Sequence, residues 1–222
     1  MSNTILTQIG KKPRNPIKYT ITLSDEQKKA KTEILEHPYN FIVGEAGSGK
    51  TLLAVQIALD SLFNGYSERI VITRPSVSTE DNGFLPGTLE AKLEPWLVPI
   101  ISNIQKVYPH QNKIEKMRED GVIEIVSLEH FRGRTFENAI CIIDEFQNLT
   151  KAQLSMVLSR LGKNSIMILA GDSRQIDLKY KQDSAVHEIP KLDVSAYVHV
   201  AKLLENHRNE AVSEILRLLH EY

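Results

Sequence analysis

One segment of the sequence has the residue types and the spacing of a phosphate-binding loop. Residues 44–51 read G-E-A-G-S-G-K-T and match G-x-x-x-x-G-K-[ST] at every fixed position. Glycines let a loop turn successive backbone N–H groups toward phosphate oxygens, and the positive end of a following helix favours the same anion. A glycine-rich turn without function is disfavoured, because an apolar segment precedes the loop and a helical pattern follows it. We therefore predict that this loop, the P-loop, binds ATP.

Two side chains of the P-loop are expected to act on the nucleotide directly. Lys50 is expected to reach the β- and γ-phosphates with its charge, and the hydroxyl of Thr51 is expected to ligate Mg²⁺. The rest of the predicted nucleotide-binding loop comprises Gly44, Glu45, Ala46, Gly47, Ser48, Gly49 and Leu52.

Two adjacent carboxylates, Asp144 and Glu145, follow the apolar segment 139–143. We predict that Asp144 holds Mg²⁺ through its water shell and that Glu145 polarises the attacking water as a general base. An acid pair at the end of a strand is also common on protein surfaces. The functional interpretation is favoured because a P-loop requires a magnesium partner on a neighbouring strand.

Two glutamines are further candidates. Gln175 ends the block G-D-S-R-Q after the apolar segment 165–170, where a polar side chain can touch the γ-phosphate or its attacking water. We predict that Gln175 is the γ-phosphate sensor, although the Gly-Asp pair of this block alone would indicate only a turn. Gln27 closes the capping-box pattern S-D-E-Q, and two interpretations stay open: it caps a helix, or its amide binds the edge of adenine.

The elements around these residues alternate between strand and helix. Apolar runs predict strands at 40–43, 69–73, 122–126, 139–143, 165–170 and 196–201. Helical spacing predicts helices at 24–36, 51–63, 88–107, 150–161 and 210–219. This alternation is typical of an α/β fold whose mostly parallel sheet is covered by helices on both faces, with ligands beyond the carboxyl ends of the strands.

Length and composition limit the alternatives. The chain has 222 residues, which suits one domain at 20–222 after a polar, extended N-terminal arm at 1–19 that either frays or docks on a neighbouring subunit. The net charge of −1 gives no overall basic field, so nucleic-acid binding would need a local patch. A single cysteine suits a reducing cytoplasm, and no apolar run approaches the roughly 20 residues of a membrane span, so no membrane partner is expected.

The order of the motifs resembles the PhoH family. The blocks are L-S-D-E-Q, G-E-A-G-S-G-K-T, I-T-R-P, R-G-R-T, D-E-F-Q-N and G-D-S-R-Q-I-D. The most specific block is G-F-L-P-G-T-L-E-A-K-L-E-P-W at 83–96, and the resemblance runs from about residue 22 to near the C-terminus. It departs from the family at Phe146, where alanine is usual, which leaves the acid pair intact.

The resemblance implies a RecA-like P-loop NTPase related to superfamily 1 helicases, with ATP hydrolysis and RNA or single-stranded DNA as partner. Some family members carry an added RNA-binding or nuclease domain, for which a chain of this length has no room. A compact member of this kind would suit a phage. Arg74, Arg132 and Arg134 are the candidates for contact with nucleic-acid phosphates, and the alternative for each is an ordinary solvated or salt-bridged arginine.

Arg208 is the candidate arginine finger, by resemblance to related helicases. A single lobe would not easily fold its own C-terminal arginine back over its own ATP while leaving room for coupling. We therefore predict that Arg208 acts in trans across a homo-oligomeric ring, with a hexamer expected from the resemblance. The alternative is that Arg208 pairs with Glu205 or Glu210.

Two other functions share the P-loop: a small-molecule kinase and a nucleotide switch that does not hydrolyse. The acid pair and the block ending in Gln175 fit water activation better than either, since a pure binder needs no water-polarising acid.

Overall fold

The fold is built on one parallel sheet. The computed structural model describes residues 4–10, 19, 21–75, 98 and 100–220. Its strands are β1 (Tyr39–Gly44), β2 (Arg69–Thr73), β3 (Ile123–Ile125), β4 (Ala139–Asp144), β5 (Ile166–Gly171) and β6 (Val198–Leu203). They lie in the order β3-β2-β4-β5-β1-β6, and every pairing between them is parallel.

Helices occupy the connections between these strands. They are α1 (Asp25–Ile34), α2 (Lys50–Phe63), α3 (Gln111–Glu119), α4 (Leu128–Phe131), α5 (Lys151–Leu158), α6 (Ile189–Leu192) and α7 (Glu210–His220). Residues 100–107 are also helical, and short 3₁₀ turns lie at Phe146–Asn148, Lys181–Asp183 and Ala185–Glu188. Over the described parts of the chain, no helix has both the length and the apolar character that a membrane span requires.

Helices cover both faces of the sheet, and the residues of each strand alternate between these faces. In β4, Ile140 and Ile142 pack into the core that contains α2, whereas Cys141 and Ile143 pack into the core that contains α5. Every residue of β4 and β5 is buried, which explains their continuous apolar sequences. The predicted α/β, RecA-like architecture is therefore confirmed.

The differences from the sequence prediction have local causes. Helix α3 has no counterpart in it, because Ile114 is the only buried residue in an otherwise polar helix and the apolar periodicity is lost. The specific block 83–96 and the first part of the helix predicted at 88–107 lie outside the described residues.

Part of the predicted N-terminal arm lies on the domain itself. Leu6 is buried, and the backbone N–H groups of Ile5 and Ile9 donate to Leu35 and Gly65 at 2.9 and 2.7 Å. Residues 4–10 therefore lie against their own domain, to which they add an apolar contact and backbone hydrogen bonds.

The single cysteine lies in the middle of the sheet. Cys141 is fully buried in β4, and burial raises the pKa of its thiol to about 12. The thiol is therefore kept protonated and screened from solvent reagents.

Candidate active site

The register of the sheet brings the sequence motifs to one edge. Four strand pairs, β2–β4, β4–β5, β1–β5 and β1–β6, end at the same level of the sheet. Their last paired residues are Thr73↔Ile143, Asp144↔Ala170, Val43↔Gly171 and Gly44↔Leu203. The loops after β2, β4, β5, β1 and β6 therefore leave the carboxyl edge side by side. Each motif follows its strand directly, so the functional side chains meet there.

The P-loop needs glycine at two positions for two reasons. Gly47 and Gly49 have φ angles of +96° and +79°, in the left-handed region that favours glycine. A Cβ on Gly47 would lie 2.5 Å from Cγ of Arg208, and one on Gly49 would lie 2.6 Å from Nε2 of Gln27. The glycines thus allow both the turn of the loop and the close approach of two side chains from distant elements.

Lys50, the predicted phosphate-binding lysine, is bonded to the P-loop itself. Its Nζ donates to the carbonyl oxygens of Gly44 and Glu45, each at 2.8 Å. Burial lowers the pKa of Lys50, and the nearby carboxylates of Asp172 and Glu145 oppose that shift. The ammonium is therefore poised among loop carbonyls that phosphate oxygens can replace.

Thr51 and Asp144, the predicted metal ligands, are in contact. The Thr51 hydroxyl donates to Oδ1 of Asp144 at 2.8 Å. Asp144 is 5% exposed, and burial together with the charge of Glu145 raises the pKa of its carboxyl. The Thr51 hydroxyl and the Asp144 carboxylate are hard oxygen donors, and the neighbouring carboxylate of Glu145 adds negative charge. This set of groups fits Mg²⁺.

Glu145 is held between two donors. One carboxylate oxygen accepts from Nε2 of Gln147 at 2.7 Å, and the other lies 3.5 Å from Nη2 of Arg74. The residue has φ +55° and ψ +42°, a left-handed conformation that costs free energy in a residue other than glycine.

Gln147 organises the loops around Glu145, a role that we did not predict. Its Nε2 also donates to the carbonyl of Gln175 at 3.0 Å, and its Oε1 accepts from the backbone N–H of Asp172 at 3.2 Å. The side chain is 1% exposed, so it links the loops after β4 and β5 without meeting solvent. The only sequence signal for it was its place in D-E-F-Q-N.

The loop after β5 is fastened to the P-loop. Asp172 is buried, and its carboxylate accepts from the backbone N–H of Ala46 at 2.9 Å. Arg174 pairs with Glu45 of the P-loop at 2.5 Å. Gln175, the predicted sensor, lies in the wall of the same cavity. The Gly-Asp pair that could have been a simple turn therefore holds the P-loop in place.

Gln27 caps a helix and contacts the P-loop as well. Ser24 and Gln27 form both bonds of a capping box, with the Ser24 N–H donating to Oε1 at 3.1 Å. The remaining end of the amide, Nε2, donates to the carbonyl of Ser48 at 3.1 Å. The capping interpretation is therefore supported, and the amide nitrogen is bonded to the P-loop.

Arg208 lies over the P-loop of its own chain. The N–H of His207 donates to the carbonyl of Gly47 at 3.1 Å, and the carboxylate of Glu26 accepts from two backbone N–H groups, those of Leu204 and Glu205. Among the described residues Arg208 forms no ion pair with Glu205 or with Glu210.

An action of Arg208 in trans stays a prediction, but no subunit boundary has to be crossed to bring this arginine to a P-loop. A single lobe can place this arginine over its own P-loop, because β6 pairs with β1 and the chain leaves β6 beside Gly44. The homo-oligomeric ring, whose hexameric size came from the resemblance, stays a prediction.

These groups surround a cavity of about 520 Å³. Most of the predicted residues line it: Gln27, Ala46, Gly47, Gly49, Lys50, Thr51, Leu52, Asp144, Glu145, Gln175 and Arg208. Residues that we did not predict add apolar and polar walls: Ile21, Thr22, Leu23, Asn103, Asp172 and His207. Ile21 and Leu23, the apolar residues ahead of α1 in this lining, offer a surface for a flat base.

The three arginines predicted to bind nucleic acid do not form one patch. Arg74 lies beside the acid pair, whereas Arg134 pairs with Glu124 at 2.6 Å and lies over the ring of Phe136. Arg132 is exposed. Glu124 is shared with Arg69 at the start of β2, and about 16 Å of strand separates Arg69 from Arg74.

The parallel sheet, the P-loop and the acid pair at its carboxyl edge define a P-loop NTPase. Among solved structures, the chain is similar to the large terminase of a thermophilic bacteriophage (TM-score 0.53, 9% identity, 90% of this chain and 51% of that one). It is also similar to the Sulfolobus solfataricus SWI2/SNF2 ATPase core (TM-score 0.50, 15% identity, 85% and 46%). At these identities the likeness concerns the fold.

The chain belongs to the PhoH family, since the family model "PhoH-like protein" matches residues 20–220. The PhoH-like protein of Synechocystis sp. is 44% identical over 154 residues, which cover 69% of this chain and 47% of the relative. That of Bacillus subtilis is 41% identical over 181 residues, which cover 74% and 56%. The chain thus spans about half the length of these curated relatives.

Proposed function

We propose that the chain is an Mg²⁺-dependent ATPase whose hydrolysis is coupled to RNA or single-stranded DNA. The observation that carries the ATPase proposal is the convergence of Lys50, the Thr51–Asp144 pair and Glu145 on one cavity. A site for binding alone would need the phosphate loop and the metal ligands, but not a second carboxylate beside them.

Each group has a distinct role in this proposal. Lys50 exchanges its loop carbonyls for the β- and γ-phosphate oxygens and neutralises their charge. Thr51 and Asp144 would hold Mg²⁺, which supplies a second positive charge to the phosphates. Glu145 orients the attacking water and accepts its proton, while Gln175 contacts the γ-phosphate.

The nucleic-acid part of the proposal rests on the resemblance to the PhoH family and on the exposed side chain of Arg132. Contacts of this kind would be made mostly to phosphates and would weaken steeply with salt. The described chain is a single RecA-like lobe, so we propose stimulation of ATPase activity by nucleic acid, with translocation or unwinding depending on a second lobe or a ring neighbour.

Arg208 would stabilise the γ-phosphate charge within its own chain. Its side chain packs on Gly47 and its charge acts on Lys50, so both cations serve one nucleotide. Arginine fingers in well-studied NTPases contribute roughly 10³- to 10⁵-fold to rate. Mixing inactive Arg208→Ala and Lys50→Ala proteins should give no recovery of activity, whereas recovery would show that the arginine acts across subunits of a ring.

Phosphate release tests the central proposal. The protein should release phosphate from ATP with Mg²⁺, faster with RNA or single-stranded DNA, and should transfer none to small acceptors. Glu145→Gln should still bind Mg·ATP but turn over roughly 10²- to 10⁴-fold more slowly, because the amide cannot accept the proton. Tight binding of ATP without release by the wild-type protein would contradict hydrolysis, and transfer to an acceptor would identify a kinase.

A further inference from the structure

Arg74 is placed against the acid pair by the register of the sheet. Thr73 of β2 pairs with Ile143 of β4. The residues that follow them, Arg74 and Asp144, therefore lie side by side at the carboxyl edge. The proline at position 75 restricts Arg74 to extended backbone, which fixes the direction in which its side chain leaves the strand. Its Nη1 lies 4.0 Å from Oδ2 of Asp144, and its Nη2 lies 3.5 Å from Oε1 of Glu145.

The two partners of Glu145 differ in how firmly they are held. Gln147 is buried and bonded at both ends of its amide, to the carbonyl of Gln175 and the N–H of Asp172. The Arg74 side chain is 32% exposed, and its contact with Glu145 is long. Arg74 is therefore the partner that can leave while Gln147 keeps the carboxylate oriented.

The guanidinium of Arg74 lies against Oε1 of Glu145 at 3.5 Å, so it occupies a position from which an attacking water would bond to that oxygen. In hydrolysis, the water oxygen bonds to the γ-phosphorus and the bond from that phosphorus to the β–γ bridging oxygen breaks. The water proton passes to Glu145, and ADP and inorganic phosphate are left. Gln147 bonds to Oε2 of Glu145. The other oxygen, Oε1, faces Arg74 and is the one that can accept this proton.

We propose that Arg74 is a positioning residue that restrains Glu145, and that phosphodiester groups of a bound nucleic acid draw its guanidinium away and release the carboxylate for catalysis. This inference rests on the proposed ATPase function. It joins the predicted phosphate contact of Arg74 to its observed place beside the acid pair. Nucleic acid would then accelerate hydrolysis by removing one ion pair.

The same ion pairs give the proposal a readout that does not depend on turnover. A fixed positive charge 4.0 Å from Asp144 competes with a divalent cation for that carboxylate. Removing it should tighten binding of Mn²⁺, used as a spectroscopic substitute for Mg²⁺, to the protein with ADP. An arginine that only contacts nucleic acid would leave Mn²⁺ affinity unchanged.

Three variants test the proposal: Arg74→Gln, Arg74→Lys and the matched control Arg160→Gln, whose arginine bonds locally to Ser159 and the carbonyl of Met156. Arg74→Gln should bind Mn²⁺ roughly two- to fivefold more tightly by electron paramagnetic resonance, as expected for loss of one partly exposed ion pair. Its phosphate release without nucleic acid should rise by a similar factor, and stimulation by poly(U) should be lost. Arg74→Lys should keep part of both effects, and the control should behave as wild type.

Unchanged Mn²⁺ affinity in folded Arg74→Gln, or a basal rate below that of wild type, would overturn the role of Arg74. Circular dichroism and thermal unfolding show whether each variant is folded, and Arg74→Lys gives the test again if Arg74→Gln is not. A wild-type protein that releases no phosphate would defeat the proposed function, while the Mn²⁺ measurement would still decide whether Arg74 restrains the acid pair.

Discussion

Strand β2 has an arginine–carboxylate cluster at each end, and the two differ in their balance of charge. At its start, Arg69 and Arg134 share the single carboxylate of Glu124 at 3.5 and 2.6 Å. We name this the amino-end cluster, with two positive charges and one negative charge. Beyond its end, Arg74 faces both Asp144 and Glu145, which makes one positive charge and two negative charges in the carboxyl-edge cluster.

This difference separates a structural cluster from a functional one. In the amino-end cluster the carboxylate is fully partnered, and Arg134 also lies 4.9 Å from the centre of the Phe136 ring. In the carboxyl-edge cluster the surplus negative charge is buried, which raises the pKa of Asp144 and invites a cation. The same residue types at the two ends of one strand thus leave a fully partnered carboxylate in one place and, in our proposal, a cation-binding pair in the other.

The largest effect on phosphate release is expected from Lys50, at the carboxyl edge of the sheet. Lys50→Ala should lower phosphate release by about 10²- to 10³-fold or more, because a charge aimed at the phosphates is lost. The unfolding temperature should change little, since Lys50 bonds only to loop carbonyls. Full activity in a folded Lys50→Ala protein would remove the distinction between the two ends of β2.

A smaller effect of the opposite kind is expected from the amino-end cluster. Glu124→Gln should lower the free energy of unfolding by about 1 kcal/mol, since two guanidiniums lose a half-buried partner. Turnover should stay within error of wild type. Urea unfolding and phosphate release measure the two quantities, and a clear fall in turnover at full occupancy of ATP would contradict a purely structural role.

The smallest effects come from the two capping boxes. Gln27 and Gln153 make the same pair of bonds at the start of α1 and α5, with Ser24 and Thr150 as N-caps. Replacing either by alanine should cost about 0.5–1 kcal/mol of stability.

Only Gln27→Ala should also raise the KM for ATP, because Gln27 alone bonds to Ser48 of the P-loop. Gln153→Ala is the matched control for the loss of the cap. Equal KM values in the two variants would mean that Gln27 acts only on its helix.

Contiguous motifs could be predicted from the sequence, but the residues that become neighbours in space could not. The P-loop, the acid pair and the strand β2 were predicted closely, because each is a contiguous pattern with its own physical signature. The order of strands has no such signature. That β6 lies beside β1 decides that Arg208 reaches its own P-loop, and that β2 lies beside β4 decides that Arg74 meets Asp144.

Side chains that connect loops were missed for a related reason. Gln147 bonds to three different residues on two loops, and nothing in its own sequence neighbourhood indicates these partners. Asp172 likewise gained its role from the pairing of β5 with β1, which brings it to the backbone of Ala46.

The buried thiol of Cys141 is a natural probe for opening of the central strand β4. Because the sulfur is inaccessible and its pKa is raised, a thiol reagent can reach it only through openings that separate β4 from the layers packed on it. The labelling rate therefore measures how often the core of the sheet opens, without any introduced probe. A nucleotide that contacts the loops after β1, β4 and β5 together should slow that labelling. The change in labelling rate would then give the effect of ligand binding on the free energy of opening of the central sheet.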